Sequence, residues 1–297
     1  VTTPLGDVVR RQLQAPTTPA VRVLAAELAK AEGAAAVLFY GSNLRTGSTE
    51  GVLDFYVLTA GPRERGMWPT VGYREFDHGG DRLRAKIATM RLSTFADAAA
   101  ARTLDTTIWT RFVQPAALVW AADDATVEAV ADAVADAAKS AGRFAAALGP
   151  ETGTAQDYWR ALFRETYAAE FRVEKSGREA QILAFDPVRY DALLTLAWAA
   201  DGIVYATEGE RLCPALPAAR RQSLLAAWRT RRRLGKPINI ARLVRAAFTF
   251  DGAARYGAWK IERHTGISVP LTPWRERHPV LAAPGVFWRL YRARRAA

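Results

Sequence analysis

Ala36-Val37-Leu38-Phe39-Tyr40-Gly41-Ser42 reads as an apolar strand running straight into a Gly-Ser pair. After Asn43 to Leu53, a second apolar stretch, Asp54-Phe55-Tyr56-Val57-Leu58, carries a carboxylate at its start. Phosphoryl chemistry gives this spacing a reason. Glycine lets the backbone come close to a phosphate chain, and Ser42 adds a hydroxyl and an N–H donor. A carboxylate on a rigid strand can hold Mg2+ against phosphate oxygens and offset their charge. The plainer reading of the same residues is a strand–turn–strand in any α/β protein, because Gly-Ser pairs are common.

Two carboxylates spaced by two on a strand point to one face and would make a metal site together. Here Tyr56 occupies the second position, so a second carboxylate has to come from elsewhere. With that departure, Phe39-Tyr40-Gly41-Ser42-Asn43 and Val52-Leu53-Asp54-Phe55-Tyr56-Val57 resemble the Tam41 (Mmp37) family of phosphatidate cytidylyltransferases, the nucleotidyltransferase-fold CDP-diacylglycerol synthases. That family reads Tyr-Gly-Ser-Gly and then Leu-Asp-Phe with a single aspartate. Three further stretches echo it in order: Arg82-Leu83-Arg84-Ala85-Lys86, Ile108-Trp109-Thr110-Arg111-Phe112-Val113-Gln114-Pro115, and Tyr167-Ala168-Ala169-Glu170-Phe171-Arg172. Asn43, Gln114 and Glu170 depart from the family's Gly, Lys and Asp. The resemblance covers residues 35–190.

The resemblance implies a set of roles. Tyr40, Gly41, Ser42, Arg111, Tyr167 and Arg172 would bind the nucleotide, and Asp54, Glu170 and Lys86 would be catalytic. Asp54 would hold Mg2+, with Glu170 completing the metal site that Tyr56 leaves short. Lys86 and Arg111 would neutralise the phosphates of CTP, a task suited to a guanidinium fork. The acceptor would be phosphatidate, whose phosphate is already ionised near neutrality and so needs no strong base. Without the resemblance, Lys86 and Arg111 read as exposed element charges, and Glu170 as a helix-face partner of Lys175. Two other readings stay open: nucleotidyl transfer to RNA, a protein or a small metabolite, and a non-catalytic nucleotide- or membrane-binding descendant.

The 297 residues are half hydrophobic, enough for a sizeable core in one large or two modest units. No run of about 18 apolar residues occurs, so no membrane-spanning helix is expected. Val1 to Pro19 lacks the charged start and apolar stretch of a secretory signal, and it is not the Arg-rich segment of a transit peptide. Cys213 is the lone cysteine, which argues against a disulfide or a thiolate metal cluster. A cytoplasmic protein is expected. His78, His264 and His278 are too scattered for a zinc site, and a Walker A loop and a Gly-x-Ser-x-Gly elbow are both missing.

Charge is unevenly placed. The chain carries +11 overall, yet Arg220 to Ala297 holds 18 Lys and Arg against 3 acids. That quarter would seek a polyanion. The tail mixes Phe287, Trp288, Leu290 and Tyr291 with Arg289, Arg292, Arg294 and Arg295, the composition of an interfacial anchor. A peripheral seat on the inner face of a membrane, against anionic lipid, is therefore expected. Nucleic acid is the weaker alternative, although the aromatics could stack bases.

Hydrophobic spacing and breakers predict helices over 5–14 and 19–32, strands over 35–40 and 52–59, and a loop from Asn43 to Gly51. A third strand is predicted over Arg82–Arg91, a helix capped by Ser93 over Thr94–Arg102, and a strand-like run over Val113–Ala121. A long Ala-rich helix over Thr126–Leu148 ends at Gly149-Pro150. Helical patterns follow from Ala155, over Pro187–Ala200, Ala218–Leu234 and Ile238–Phe250. The fold class expected is α/β: a nucleotidyltransferase-fold domain over 1–150, a small mixed sheet with flanking helices, and a mainly helical, basic domain over 151–297.

Overall fold

The computed structural model describes residues 4–170, 178–279, 281–286 and 288. In chain order the elements are α1 (Pro4–Leu13), α2 (Pro19–Glu32), β1 (Ala34–Tyr40), α3 (Ser42–Thr46), β2 (Leu53–Thr59), β3 (Thr70–His78), β4 (Asp81–Arg91), α4 (Leu92–Ala99), α5 (Thr107–Phe112), β5 (Ala116–Ala121) and α6 (Asp124–Leu148). There follow α7 (Ala155–Ala169), α8 (Arg178–Phe185), α9 (Pro187–Ala200), a hairpin of β6 (Tyr205–Glu208) and β7 (Arg211–Pro214), α10 (Ala218–Thr249), α11 (Ala253–Thr265) and α12 (Pro273–Arg277).

A mixed five-stranded sheet runs in the order β3-β4-β2-β1-β5, with β2 and β4 parallel and the other pairs antiparallel. Period-two alternation splits its residues between two layers. Val37, Phe39, Phe55, Val57, Leu83, Ala85 and Ile87 face α2, whose Val21, Leu24 and Leu28 close that side. Leu38, Tyr56, Leu58, Ala88 and Met90 face the other way, into a larger cluster with α1, α4, α5, α6, α7 and α9. α2 is set by sequence at both ends: Thr18 Oγ1 accepts the Val21 N–H, Pro19 opens the first turn, and Gly33 closes it in the left-handed region.

The helix α6 forms the spine of the larger layer. Asp123 caps it by accepting the Thr126 N–H at 2.7 Å, and its alanines Ala137, Ala141 and Ala145 are fully buried. Small side chains let neighbours approach closely. The Trp198 indole N–H reaches the Gly142 carbonyl at 2.8 Å, and Trp109 stacks on Phe144. The same hydrophobic cluster includes residues on both sides of Gly149-Pro150, from Leu5 to Trp228.

Several elements differ from the sequence expectation. Residues Ser42–Thr46, expected within a loop, form a short helix because buried Asn43 clamps the residues beyond it: its Nδ2 donates to the carbonyls of Ser48 (2.9 Å) and Glu50 (2.7 Å). Ser93 lies inside α4 and donates to the Gly61 carbonyl instead of capping a helix. The strand expected from Val113 begins at Ala116, since Val113 ends α5. The edge strand β3 and the β6–β7 hairpin carry weak alternation and were not anticipated. The two helices expected over Ala218–Leu234 and Ile238–Phe250 are one continuous α10 with Pro237 inside it. A mid-helix proline loses one backbone hydrogen bond. Burial of Trp228, Arg231 and Gly235 on the preceding turns offsets that loss. The Gly235 backbone lies against the Ala169 carbonyl so closely that a Cβ there would sit 2.4 Å from its oxygen.

Among the described residues no helix is long and apolar enough to cross a membrane. Arg172 and the tail from Arg289 to Ala297, together with Phe287, lie outside the described residues.

Candidate functional site

Strand register brings the predicted residues together. Tyr40 on β1 pairs with Asp54 on β2, and Asp54 pairs with Lys86 on β4. Directly paired residues share a face, so these three side chains form a row across the sheet. At the end of β1 the chain turns through Gly41, whose φ of 92° and ψ of −162° is a conformation reserved for glycine. A Cβ at this position would stand 3.1 Å from Asp54 Oδ2, so glycine also admits the carboxylate to the turn.

Tyr40, Gly41, Ser42, Asp54, Lys86, Arg111 and Tyr167 all line one polar cleft of about 230 Å3. Seven of the nine residues singled out in the sequence therefore converge. Arg45, Gln114, Pro115 and Ile182 complete its wall. Arg45 was missed by sequence reading; it sits one turn past Ser42 and becomes visible as a cleft cation once Ser42–Thr46 is helical. With Arg45, Lys86 and Arg111 against Asp54, the cleft wall carries three cations and one acid. Neither the Asp54 carboxyl nor the Lys86 ammonium makes a side-chain hydrogen bond within the described residues, and both line the cleft.

Arg111 is the best-organised of these cations. Its guanidinium lies over the rings of Tyr40 (5.5 Å) and Tyr56 (5.6 Å), and its Nη1 donates to the Tyr56 hydroxyl at 2.8 Å. Tyr56, which the sequence presented as a missing carboxylate, thus orients a cation. Its ring meets Phe112 edge-on, within an aromatic group that includes Phe95. Burial pulls the Arg111 guanidinium down, but the Tyr56 and Tyr40 hydroxyls, Glu170 and Asp54 outweigh it and hold its pKa above the ordinary arginine range. Burial pushes both phenols up, so they stay neutral donors and acceptors.

Burial likewise raises the Asp54 carboxyl above the usual carboxylate range, against the opposing pull of Lys86 and Arg111. Glu170 takes a different place. It is 4% exposed, accepts a hydrogen bond from Thr106 Oγ1 at 2.8 Å, and is not among the residues lining the cleft. It acts on Arg111 only through space, as one of the groups that raise the guanidinium's pKa. Among the described residues no three His, Cys, Asp or Glu side chains gather as a metal cluster.

A second cleft of about 230 Å3 opens from the first. It shares Tyr40, Lys86 and Arg111 and continues between the sheet (Val71, Ala88) and α10 (Arg242, Leu243, Ala246). Two arginines fix α10 there. Arg242 pairs with the buried carboxylate of Asp105 and lies over the Trp68 ring, and Arg245 donates to the Met67 carbonyl. Asp105 also accepts the Ile108 N–H at 3.1 Å at the start of α5, so one carboxylate ties α10 to the helix bearing Arg111.

No protein-family model matches the chain, and no curated protein matches it.

Proposed function

We propose that the protein is a Mg2+-dependent nucleotidyltransferase that transfers CMP from CTP to phosphatidate, giving CDP-diacylglycerol and diphosphate. The observation that carries nucleotidyl transfer is the close approach of Asp54 to the Gly41 turn, in register with Lys86 and beside the stacked Arg111. The mixed sheet with its glycine turn and strand-borne aspartate supports a nucleotidyltransferase fold. The choice of CTP and phosphatidate comes from the resemblance of Phe39–Asn43, Val52–Val57 and the three later stretches to the Tam41 family.

The donor set fits Mg2+ brought in with a triphosphate. Mg2+ is commonly held by one or two carboxylates plus substrate phosphate oxygens, and Asp54 supplies one carboxylate at the cleft. Glu170, the second carboxylate that the resemblance offers, accepts from Thr106 and does not line this cleft. Bound Mg2+ would supply charge neutralisation at the phosphates. The chain's own residues do the rest. Gly41 and Ser42 receive the β- and γ-phosphates, and Lys86 and Arg111 offset charge that spreads toward the leaving diphosphate. Tyr56 holds the Arg111 plane through its hydroxyl. A phosphatidate oxygen attacks the α-phosphorus as the bond to the β-phosphate oxygen breaks. The acceptor is already an anion, so no proton has to be removed, and positioning carries the rate. The cleft beside α10 leads to Lys86 and Arg111 and suits a phosphate head with an apolar body.

The test is diphosphate release from CTP and Mg2+, with and without phosphatidate in detergent micelles. Phosphatidate-dependent release is expected. Release with a different phosphate or hydroxyl acceptor would keep nucleotidyl transfer and discard the lipid. Silence with every acceptor would overturn the proposal.

A further inference from the structure

One face of α10 exposes a run of large apolar residues. Ile240, Leu243, Val244 and Phe248 follow helical spacing and form a single stripe. They are 48%, 54%, 56% and 77% exposed. The same face continues one to three turns toward the N-terminus as Arg229, Arg233 and Lys236, all exposed, with Arg232 alongside. Arg229, Arg233 and Lys236 make no ion pair within the described residues, whereas Arg232 reaches Glu165 at 3.3 Å. A basic half and an apolar half therefore lie end to end on one helix face.

The opposite side of α10 is anchored at three points. Gly235 is against the Ala169 backbone, Arg242 is paired with Asp105, and Arg245 is on the Met67 carbonyl. The stripe is therefore presented on a helix that packing holds in place. A core-facing helix would bury these four apolar residues, and an ordinary solvated helix would not align them.

We propose that this face of α10 is a membrane-docking surface whose partner is an anionic lipid bilayer. The basic half meets lipid phosphates and the apolar half enters the headgroup–acyl boundary, the arrangement of an interfacial helix. The excess of 18 basic over 3 acidic residues from Arg220 onward makes the whole quarter complementary to a negative membrane. Leu243 belongs both to the stripe and to the wall of the second cleft, so the docked bilayer lies at that cleft's mouth. The surface adds to the reading of the protein as a lipid enzyme, yet vesicle binding is measured independently of turnover.

The experiment uses the full chain and vesicles of phosphatidylcholine with or without phosphatidylglycerol, read by co-sedimentation at low and high salt. Wild type is expected to bind the anionic vesicles. Arg233→Gln/Lys236→Gln removes two charges, each contributing about fivefold near an anionic surface, and should weaken low-salt binding about 30-fold. Val244→Ser/Phe248→Ser keeps the charges but loses insertion, so its binding should vanish at high salt, where screening removes the electrostatic part. All four side chains are exposed, so both variants should melt as wild type does, and both should release diphosphate in detergent micelles as wild type does. Three results would each overturn the proposal: both variants binding like wild type, wild type ignoring anionic vesicles, or Val244→Ser/Phe248→Ser abolishing self-association instead of vesicle binding. Vesicle binding that tracks the variants, without turnover by any form, would leave this surface standing and remove the proposed reaction.

Discussion

Replacing Gly41 by alanine tests the site where backbone and chemistry meet. Two costs arise from the geometry. The backbone conformation at φ 92° and ψ −162° is strained for any residue with a Cβ, by about 1–3 kcal/mol. The new methyl would also stand 3.1 Å from Asp54 Oδ2, so the carboxylate or the turn has to give by a few tenths of an ångström. A loss of about 2–3 kcal/mol is expected. For 297 residues, unfolding entropy near 2.1 cal/mol/K per residue converts this to a Tm drop of about 3–5 °C. Gly33→Ala is the control. Gly33 has φ 60° and open space around its missing Cβ, so only the left-handed cost of about 1 kcal/mol applies, near 2 °C. Calorimetry and diphosphate release on the two variants side by side separate strain from function. Gly33→Ala should retain turnover, and Gly41→Ala should lose at least about tenfold, because sub-ångström displacement of a catalytic group is costly. Wild-type turnover in Gly41→Ala, or a Tm drop no larger than that of Gly33→Ala, would refute the close approach of Asp54 to the turn.

Three further outcomes are expected. Asp54→Asn should abolish diphosphate release yet raise Tm at neutral pH. The folded state holds the Asp54 proton more tightly than the unfolded state does, so the residue's contribution to stability falls as pH rises from the ordinary carboxylate range through the raised value. The Tm difference should therefore close below that range, as thermal scans against pH would show. Wild-type activity should fall on acidification through the same raised value. Tyr56→Phe removes the acceptor for a charged donor, so Tm should fall by an amount corresponding to about 1.5–3 kcal/mol, and KM for CTP should rise as Arg111 loses its orientation. Arg242→Ala leaves the buried Asp105 carboxylate with only the Thr107 hydroxyl and the Ile108 N–H, and denaturant unfolding should register a loss of about 1.5–3 kcal/mol.

The parts of the fold legible in the sequence were those governed by local rules. The apolar runs of β1 and β2, the Thr18-Pro19 start and Gly33 stop of α2, and the alanine periodicity of α6 each announce themselves within a few residues. The Gly41–Asp54 pairing was legible because a glycine turn and a strand carboxylate have a chemical reason to be near each other. The long-range pairings could not be read. Tyr56 finds Arg111 across 55 residues, and Glu170 finds Thr106 across 64. From sequence, Tyr56 was a carboxylate lost and Glu170 a carboxylate supplied; in three dimensions Tyr56 accepts from Arg111 and Glu170 accepts from Thr106. Pro237 and Gly235 read as a helix break, and the packing of Gly235 on Ala169 overrides that local signal. The edge strand β3 hid because its exposed face breaks the alternation on which strand reading depends.

A helix of 32 residues rises about 48 Å from end to end. Had α10 been two segments jointed at Pro237, each could have tilted on its own. As one rod, pinned near its middle by Gly235 and farther along by Arg242 and Arg245, it behaves as a lever with fixed fulcra. A push on the outer side at Phe248 is borne by Asp105 and, through it, by the short helix that carries Arg111. A load that arrives on the outer face of α10 is thereby passed toward the guanidinium stacked in the cleft.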